Sequence, residues 1–165
     1  MKLLKLWEAD LHKLYELQSS FEADENGFMN FAYGYTLEEY ADYVQLKKRH
    51  EQSIDLPNSY VPDTAYVLVD EENYVGLFNL RHYLNDALKE GAGHIGYGIG
   101  KKYRGHGYAT AGLALTIEEA KKIIPEDEIY ISVHKDNPAS LTVQKKNGAI
   151  IHHEDETSYY TRIKI

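Results

Sequence analysis

The sequence contains no cysteine. That single absence excludes disulfides, thiolate metal sites and cysteine nucleophiles, and it fits a reducing compartment. Long apolar runs are also missing. No stretch reaches the roughly 18 consecutive apolar residues of a bilayer-spanning helix, so no membrane partner is expected. Basic clusters are scarce. The net charge is -8, and the densest cationic group is "LKKRH", Leu46 to His50, which reads as a solvated helix end. A nucleic-acid surface needs a basic face, so nucleic acid is not an expected partner either. The opening "MKLLKLWEADLHKLYEL" mixes apolar and polar residues and carries acids early. It has no apolar core of the kind a secretory signal needs, and the expected location is cytoplasmic.

What is present describes one ordinary globular unit. The 165 residues are 43% apolar, and no linker or repeat divides them, so a single domain over residues 1–165 is expected. "KLLKL" suits a short strand, and Trp7, Leu11, Leu14 and Leu17 recur at helical spacing, giving a helix from about Ala9 to Ser19. "FEADENGFMNFAYGY" reads as a loop broken by Gly27 and Gly34. Thr36 with Glu39 forms a capping-box pattern that opens a helix over Leu37 to Glu51. "TAYVLVD" and "YVGLFNLRHY" read as a hairpin, "LNDALKEGAG" as a connector with a helical turn, and "HIGYGIG" as a third strand. A helix follows to about Ile124, with Lys121 and Lys122 in its last turn and Pro125 as its stop. "EIYISVH" is a strand, "NPASLTVQKKNG" a short helix, and "AIIHHED" with "SYYTRIKI" a terminal hairpin. The fold class is α/β (α+β), with a mostly antiparallel sheet flanked by helices.

The informative stretch is "KKYRGHGYAT", Lys101 to Thr110. A helix N-terminus leaves its first amides without intrahelical partners and carries roughly half a positive charge. Gly105 and Gly107 let a ligand approach the backbone, and Lys101, Lys102, Arg104 and His106 add cationic side chains. Together they form an anion site suited to phosphates. The bland alternative is a glycine turn with solvated cations. No P-loop pattern occurs. "GAGHIG", Gly91 to Gly96, precedes a strand rather than a helix, so it does not fit a dinucleotide fold.

"HIGYGIGKKYRGHGYAT" followed by an amphipathic helix resembles the pyrophosphate-binding motif of the GCN5-related N-acetyltransferases (GNAT). "DNPASLTVQKKNGA" resembles the second motif of that family, and "VGLFNLRHYLND" resembles a subgroup of bacterial acetyltransferases. The resemblance covers Thr64 to Ile165. It implies the acyl-CoA N-acyltransferase fold, with acetyl-CoA as cosubstrate lying between the strands "HIGYGIG" and "EIYISVH". Backbone groups near Tyr97 and Ile99 would bind the pantetheine arm. The amides of Arg104, Gly105, His106, Gly107, Tyr108 and Ala109 would hold the pyrophosphate, Thr110 would add a hydroxyl, and Asn137 would contact the arm.

The same resemblance implies transfer of acetyl to a primary amine of a small molecule or peptide. Relatives carry a glutamate where this chain has His94, an imidazole that titrates near neutrality and so suits a base. Where the family often has a tyrosine that protonates the leaving thiolate, this chain has Gln144, which cannot donate a proton usefully. Ser140, another of the 15 tyrosines, or water is left for that task, or the thiolate departs unprotonated. Asn137 and Ser140 complete the expected catalytic set. The aromatic and acidic run between Phe21 and Tyr43 offers either a lining for a cationic acceptor or a packed loop with a solvated acidic helix. His152 and His153, adjacent on a strand, are expected on opposite faces, and no metal site is expected. A homodimer is left open. The rival reading is an acyl-CoA-binding sensor that has lost its chemistry, favoured by Gln144.

Overall fold

The computed structural model describes residues 1–165. In chain order it forms β1 (Lys2–Lys5), a 3-10 turn (Leu6–Glu8), α1 (Leu11–Ser19), β2 (Asp24–Glu25), β3 (Phe28–Met29), α2 (Leu37–Glu51), β4 (Asp63–Asp70) and β5 (Asn73–Arg81). There follow α3 (Asp86–Glu90), β6 (Ile95–Ile99), a second 3-10 turn (Lys101–Tyr103), α4 (Tyr108–Ile123), β7 (Glu128–His134), α5 (Pro138–Lys146), β8 (Ile150–Glu154) and β9 (Ser158–Lys164). Two antiparallel sheets carry the fold, ordered β1-β4-β5-β6 and β7-β9-β8.

β4 shows why its sequence lacks polar alternation. Ala65, Val67 and Val69 face one cluster, with Leu14 and Leu17 of α1 and Tyr40 and Val44 of α2. Tyr66 and Leu68 face the other, with Phe78, Leu80 and the Leu113, Ile117 and Ala120 stripe of α4. Both faces of the strand are therefore core. Leu14 and Leu113 are fully buried, each worth about 1.5–3 kcal/mol relative to exposure.

The start of α2 follows its capping box. The Glu39 amide donates to Thr36 Oγ1 at 3.2 Å, and the Thr36 amide donates to Glu39 Oε1 at 3.4 Å. α1 begins at Leu11 rather than near Ala9, because Asp10 caps it by accepting from the Lys13 amide at 2.9 Å. The segment expected to be a loop contains the β2–β3 hairpin. Its turn is Asn26-Gly27, with φ of 54° and 92°, the two positive values that a tight two-residue hairpin requires. "LKKRH" is only partly solvated: Lys47 pairs with Asp63, and His50 is buried with Nε2 3.1 Å from the Asp55 carbonyl. His152 and His153 do not face apart. A register shift between Ile151 and His153 brings their Nδ1 atoms to 2.8 Å, and no group of three metal-ligating side chains forms around them.

The two sheets meet at one place. Gly93 bridges to Ile131, and the His94 amide donates to the Tyr130 carbonyl at 2.7 Å. Gly93 sits at φ 68°, and a Cβ there would lie 2.1 Å from the Tyr130 oxygen, so the approach demands glycine. His94 is fully buried beside it, not at an exposed strand end. Its Nδ1 accepts from the Tyr130 amide at 2.9 Å, which puts the ring proton on Nε2, 3.1 Å from Glu126 Oε2. Glu126 Oε1 in turn accepts from the Leu84 amide at 3.0 Å. Arg81 donates to the Gly93 carbonyl at 3.0 Å, and the Arg162 guanidinium stands 3.5 Å over the Tyr130 ring.

Burial holds the His94 pKa below the ordinary imidazole value of 6.5, against the opposing pull of Glu126. The unfolded chain therefore takes up this proton at a higher pH than the folded chain does. Stability from His94 is complete above pH 6.5 and falls as pH drops below it. Urea midpoints are expected to decline between about pH 7 and about pH 5.5, with a shallower decline in His94→Gln. Equal slopes in the two proteins would show that this histidine does not titrate between the folded and unfolded states.

Candidate functional site

Beyond the meeting point, β6 and β7 part. The register of β6 against β5 pairs Gly96 with Asn79 and Gly98 with Leu77, and the Gly100 amide donates to the Val75 carbonyl at 3.0 Å. Alternation in an antiparallel ladder then turns the amides and carbonyls of Ile95, Tyr97 and Ile99 away from β5, toward the gap before β7. The Tyr97 and Ile99 amides find no protein acceptor there. The Ile99 carbonyl accepts from Arg104 Nε at 3.0 Å.

At the open end of the gap lies the glycine stretch. α4 starts after Gly107, which has φ 82° and supplies no side-chain cap. The amides of Gly105, His106, Gly107, Tyr108, Ala109 and Thr110 donate to no protein group, whereas the Arg104 amide, expected to join them, donates to the Lys101 carbonyl at 3.4 Å and closes the preceding 3-10 turn. A Cβ built on Gly105 or Gly107 meets nothing within 4 Å, so the space in front of these amides is clear. This is a row of positive backbone aimed at open space beside the gap, the arrangement that binds phosphates.

The side chains around it are less free than their types suggest. Arg104 Nη2 donates to Glu25 Oε2 at 2.9 Å, and Lys101 Nζ lies 3.3 Å from Glu22 and 3.5 Å from Glu25. Burial pushes the Glu25 carboxyl up, but the Glu22 amide, Arg104 and Lys101 outweigh it and hold its pKa below the ordinary carboxylate value. His106 is exposed, with Nδ1 3.2 Å from the Tyr103 carbonyl. The Tyr108 hydroxyl donates to Asp70 at 2.9 Å, and Ala109 and Thr110 are half-buried in the first turn.

The β2–β3 hairpin crosses the mouth of the gap. Glu25 ties it to Arg104 on one side. On the other, the Asn26 carbonyl accepts from Asn137 Nδ2 at 3.4 Å, and Gly27 lies against the His134 ring. Phe28 and Phe21 pack with ring centroids 5.5 Å apart, tilted by 50°, and cover Gly98 of β6. Within the expected acceptor segment, Tyr40 is core and Tyr43 is half-buried beside it, and burial pushes both phenols up, whereas Phe31 and Tyr33 are exposed.

The expected catalytic residues separate into two groups. Ser140 comes into contact with Tyr97: the two hydroxyl oxygens are 2.8 Å apart. Asn137 caps α5, accepting from the Ser140 amide at 3.1 Å, and touches the hairpin, so its amide serves the walls of the gap. His94 is corrected from base to clamp. Both its ring nitrogens are engaged by Tyr130 and Glu126, which leaves no lone pair for an ammonium proton. Gln144 is fully buried and accepts from the Thr161 hydroxyl at 2.7 Å. Two participants escaped the sequence reading. Glu25 had no local pattern tying it to Arg104, 79 positions away. The Tyr97 hydroxyl was legible in principle, because strand alternation puts its ring on the face opposite Phe28.

Comparison with known proteins agrees with this geometry. A sequence profile described as the acetyltransferase (GNAT) domain matches residues 2–150. Curated proteins gave no significant match. Among solved structures, RimJ of Mycobacterium smegmatis in complex with CoA-disulfide superposes with a TM-score of 0.69 at 15% identity, covering 98% of this chain and 80% of its own. Spermidine N-acetyltransferase of Vibrio cholerae in complex with CoA and spermine gives 0.63 at 17% identity, covering 99% and 94%. N-acetyltransferase PseH of Campylobacter jejuni in complex with acetyl coenzyme A gives 0.61 at 13% identity, covering 99% and 97%. At these identities the structures establish likeness of fold, and the profile match establishes membership. With parted strands, a glycine-opened helix and a profile that spans nearly all of both, the chain belongs to the GNAT acetyltransferase family, enzymes that use acetyl-CoA as cosubstrate.

Proposed function

We propose that the protein transfers the acetyl group of acetyl-CoA to a primary amine on a small molecule or peptide. The observation that carries this reading is the continuous run of unpartnered amides from Gly105 to Thr110, set beside the outward-facing amides of Tyr97 and Ile99. A diphosphate satisfies the first set. The arm of the same molecule, entering between β6 and β7, satisfies the second, and an amide at Tyr97 then polarises the thioester carbonyl. Attack by a neutral amine forms the C–N bond and breaks the C–S bond, with the electron pair leaving on sulfur. Ser140 is positioned to stabilise that sulfur. The amine's proton passes to water in the gap, since His94 offers no free nitrogen.

The acceptor side is the hairpin and the segment after it. Glu22 and Glu25 are engaged by Lys101 and Arg104, so the preference for a cationic amine over an anionic substrate rests on the net charge of -8. Likeness to an enzyme crystallised with spermine supports the same preference. The sensor reading rests on Gln144, whose buried amide supplies no proton.

Calorimetry with CoA and thiol release from acetyl-CoA across spermine, amino sugars and peptide N-termini test the two readings together. Binding with turnover on at least one amine is expected. Binding with none would leave the sensor, and no binding at all would remove both.

Two substitutions probe the anion site in opposite directions. Gly107→Val forces a branched residue into a left-handed backbone conformation and crowds the amides, so CoA affinity is expected to fall by about tenfold or more. Glu25→Gln releases the Arg104 guanidinium for phosphate, so affinity is expected to rise by about threefold to fivefold at low salt, and less at high salt. Thermal melts of both variants separate binding effects from loss of fold.

A further inference from the structure

The Tyr97 side chain has a task that its backbone does not explain. Its ring is stacked on Phe78 with centroids 5.6 Å apart and planes 15° apart, so the ring cannot swing freely. The hydroxyl reaches α5, 2.8 Å from Ser140 Oγ and 3.3 Å from the Ser140 carbonyl. Behind it stands Gln144. The Thr161 hydroxyl lies 2.7 Å from Gln144 Oε1 and 3.2 Å from the Ile131 carbonyl, and Gln144 Nε2 is buried without a hydrogen-bond partner. Burial pushes the phenol up, and the Ser140 and Gln144 side chains pull it partly back.

The Tyr97 hydroxyl has one hydrogen and two acceptors, and Ser140 Oγ at 2.8 Å is nearer than the Ser140 carbonyl at 3.3 Å, which favours donation from Tyr97 to Ser140 Oγ. Ser140 Oγ then accepts from Tyr97, and its own hydrogen has no protein acceptor. Ser140 is half-buried at the edge of the gap, next to the strand position whose amide faces the thioester path.

We propose that Tyr97 is a positioning residue for acetyl transfer: its hydroxyl, 2.8 Å from Ser140 Oγ, turns the Ser140 hydrogen toward the sulfur that leaves acetyl-CoA. This rests on the acetyltransferase reading and deepens it. The C–S bond breaks with its electron pair on sulfur, and Ser140 donates a hydrogen bond to the resulting thiolate. The proton that completes the thiol comes from the water that received the amine's proton. If the pair were turned the other way, with Tyr97 donating to the Ser140 carbonyl and Ser140 donating to Tyr97, the sulfur would receive nothing.

The first readout uses CoA itself and needs no acceptor. Thiolate absorbance of bound CoA is followed against pH in wild type, Tyr97→Phe, Ser140→Ala and the double variant, with CoA affinity measured for each. Phe at 97 retains the stack on Phe78, and melting curves check the fold. The thiol of CoA bound to wild type is expected to ionise at a pH about one unit below that in either single variant, a tenfold shift in the equilibrium. The double variant is expected to match the singles, because the two hydroxyls act as one unit. Thiol release from acetyl-CoA with the best amine of the panel is expected to lose about tenfold or more in kcat in Tyr97→Phe, with KM for acetyl-CoA within about twofold. Tight CoA binding with identical thiol titrations in all four proteins would overturn the role of Tyr97 and leave the acetyltransferase reading standing. A shift in Ser140→Ala but not in Tyr97→Phe would overturn it as well. Absence of CoA binding in wild type would instead overturn the underlying reading.

Discussion

Two strands that touch once and then separate determine the rest of this site. A sheet normally satisfies every strand edge, and an unpaired edge facing a cavity carries orphaned amides. Here the cost is accepted along Tyr97 and Ile99 because the pair is pinned at Gly93 and His94. The pin is chemically thorough. A glycine allows backbone contact, a neutral imidazole accepts from one strand and donates to a carboxylate after α4, and an arginine holds the Gly93 carbonyl. Without that fixed vertex the gap would have no defined width, and the amides along it no defined partner.

The second organising feature is electrostatic. The chain is strongly acidic as a whole, yet it gathers Lys101, Lys102 and Arg104 before an uncapped helix. Those cations do not face open solvent alone. Glu22 and Glu25 of the segment that crosses the gap neutralise two of them. The backbone amides from Gly105 to Thr110 have no such partners, so they are the positive groups of this stretch left unpaired while the Lys101 and Arg104 side chains are engaged.

How much of this was legible in the sequence depended on the range of the interactions. α2 was read to its ends because Thr36 and Glu39 form a local signal three residues apart. The outward-facing positions Tyr97 and Ile99 on β6 were expected from the family resemblance, and the register of the strand agrees with them. The β2–β3 hairpin was missed although Asn26-Gly27 is a strong turn signal, because each strand is only two residues long. His94 was misjudged for a different reason. Its residue type suits a base, but burial and the Tyr130 amide, 36 positions away, decide its role. Gln144 looked like a loss when set against a family tyrosine, and only the fold shows it buried against Thr161 while a phenol from β6 meets Ser140.

The short hairpin links parts of the molecule that are otherwise independent. One end leans on the arginine beside the helix opening, and the other on the asparagine that starts α5, while its aromatic residues roof the strand. Breaking the Glu25–Arg104 pair would leave the hairpin held only by its Asn137 contact and its aromatic packing. One carboxylate thus sets both the charge beside the helix opening and the attachment of the cover over β6.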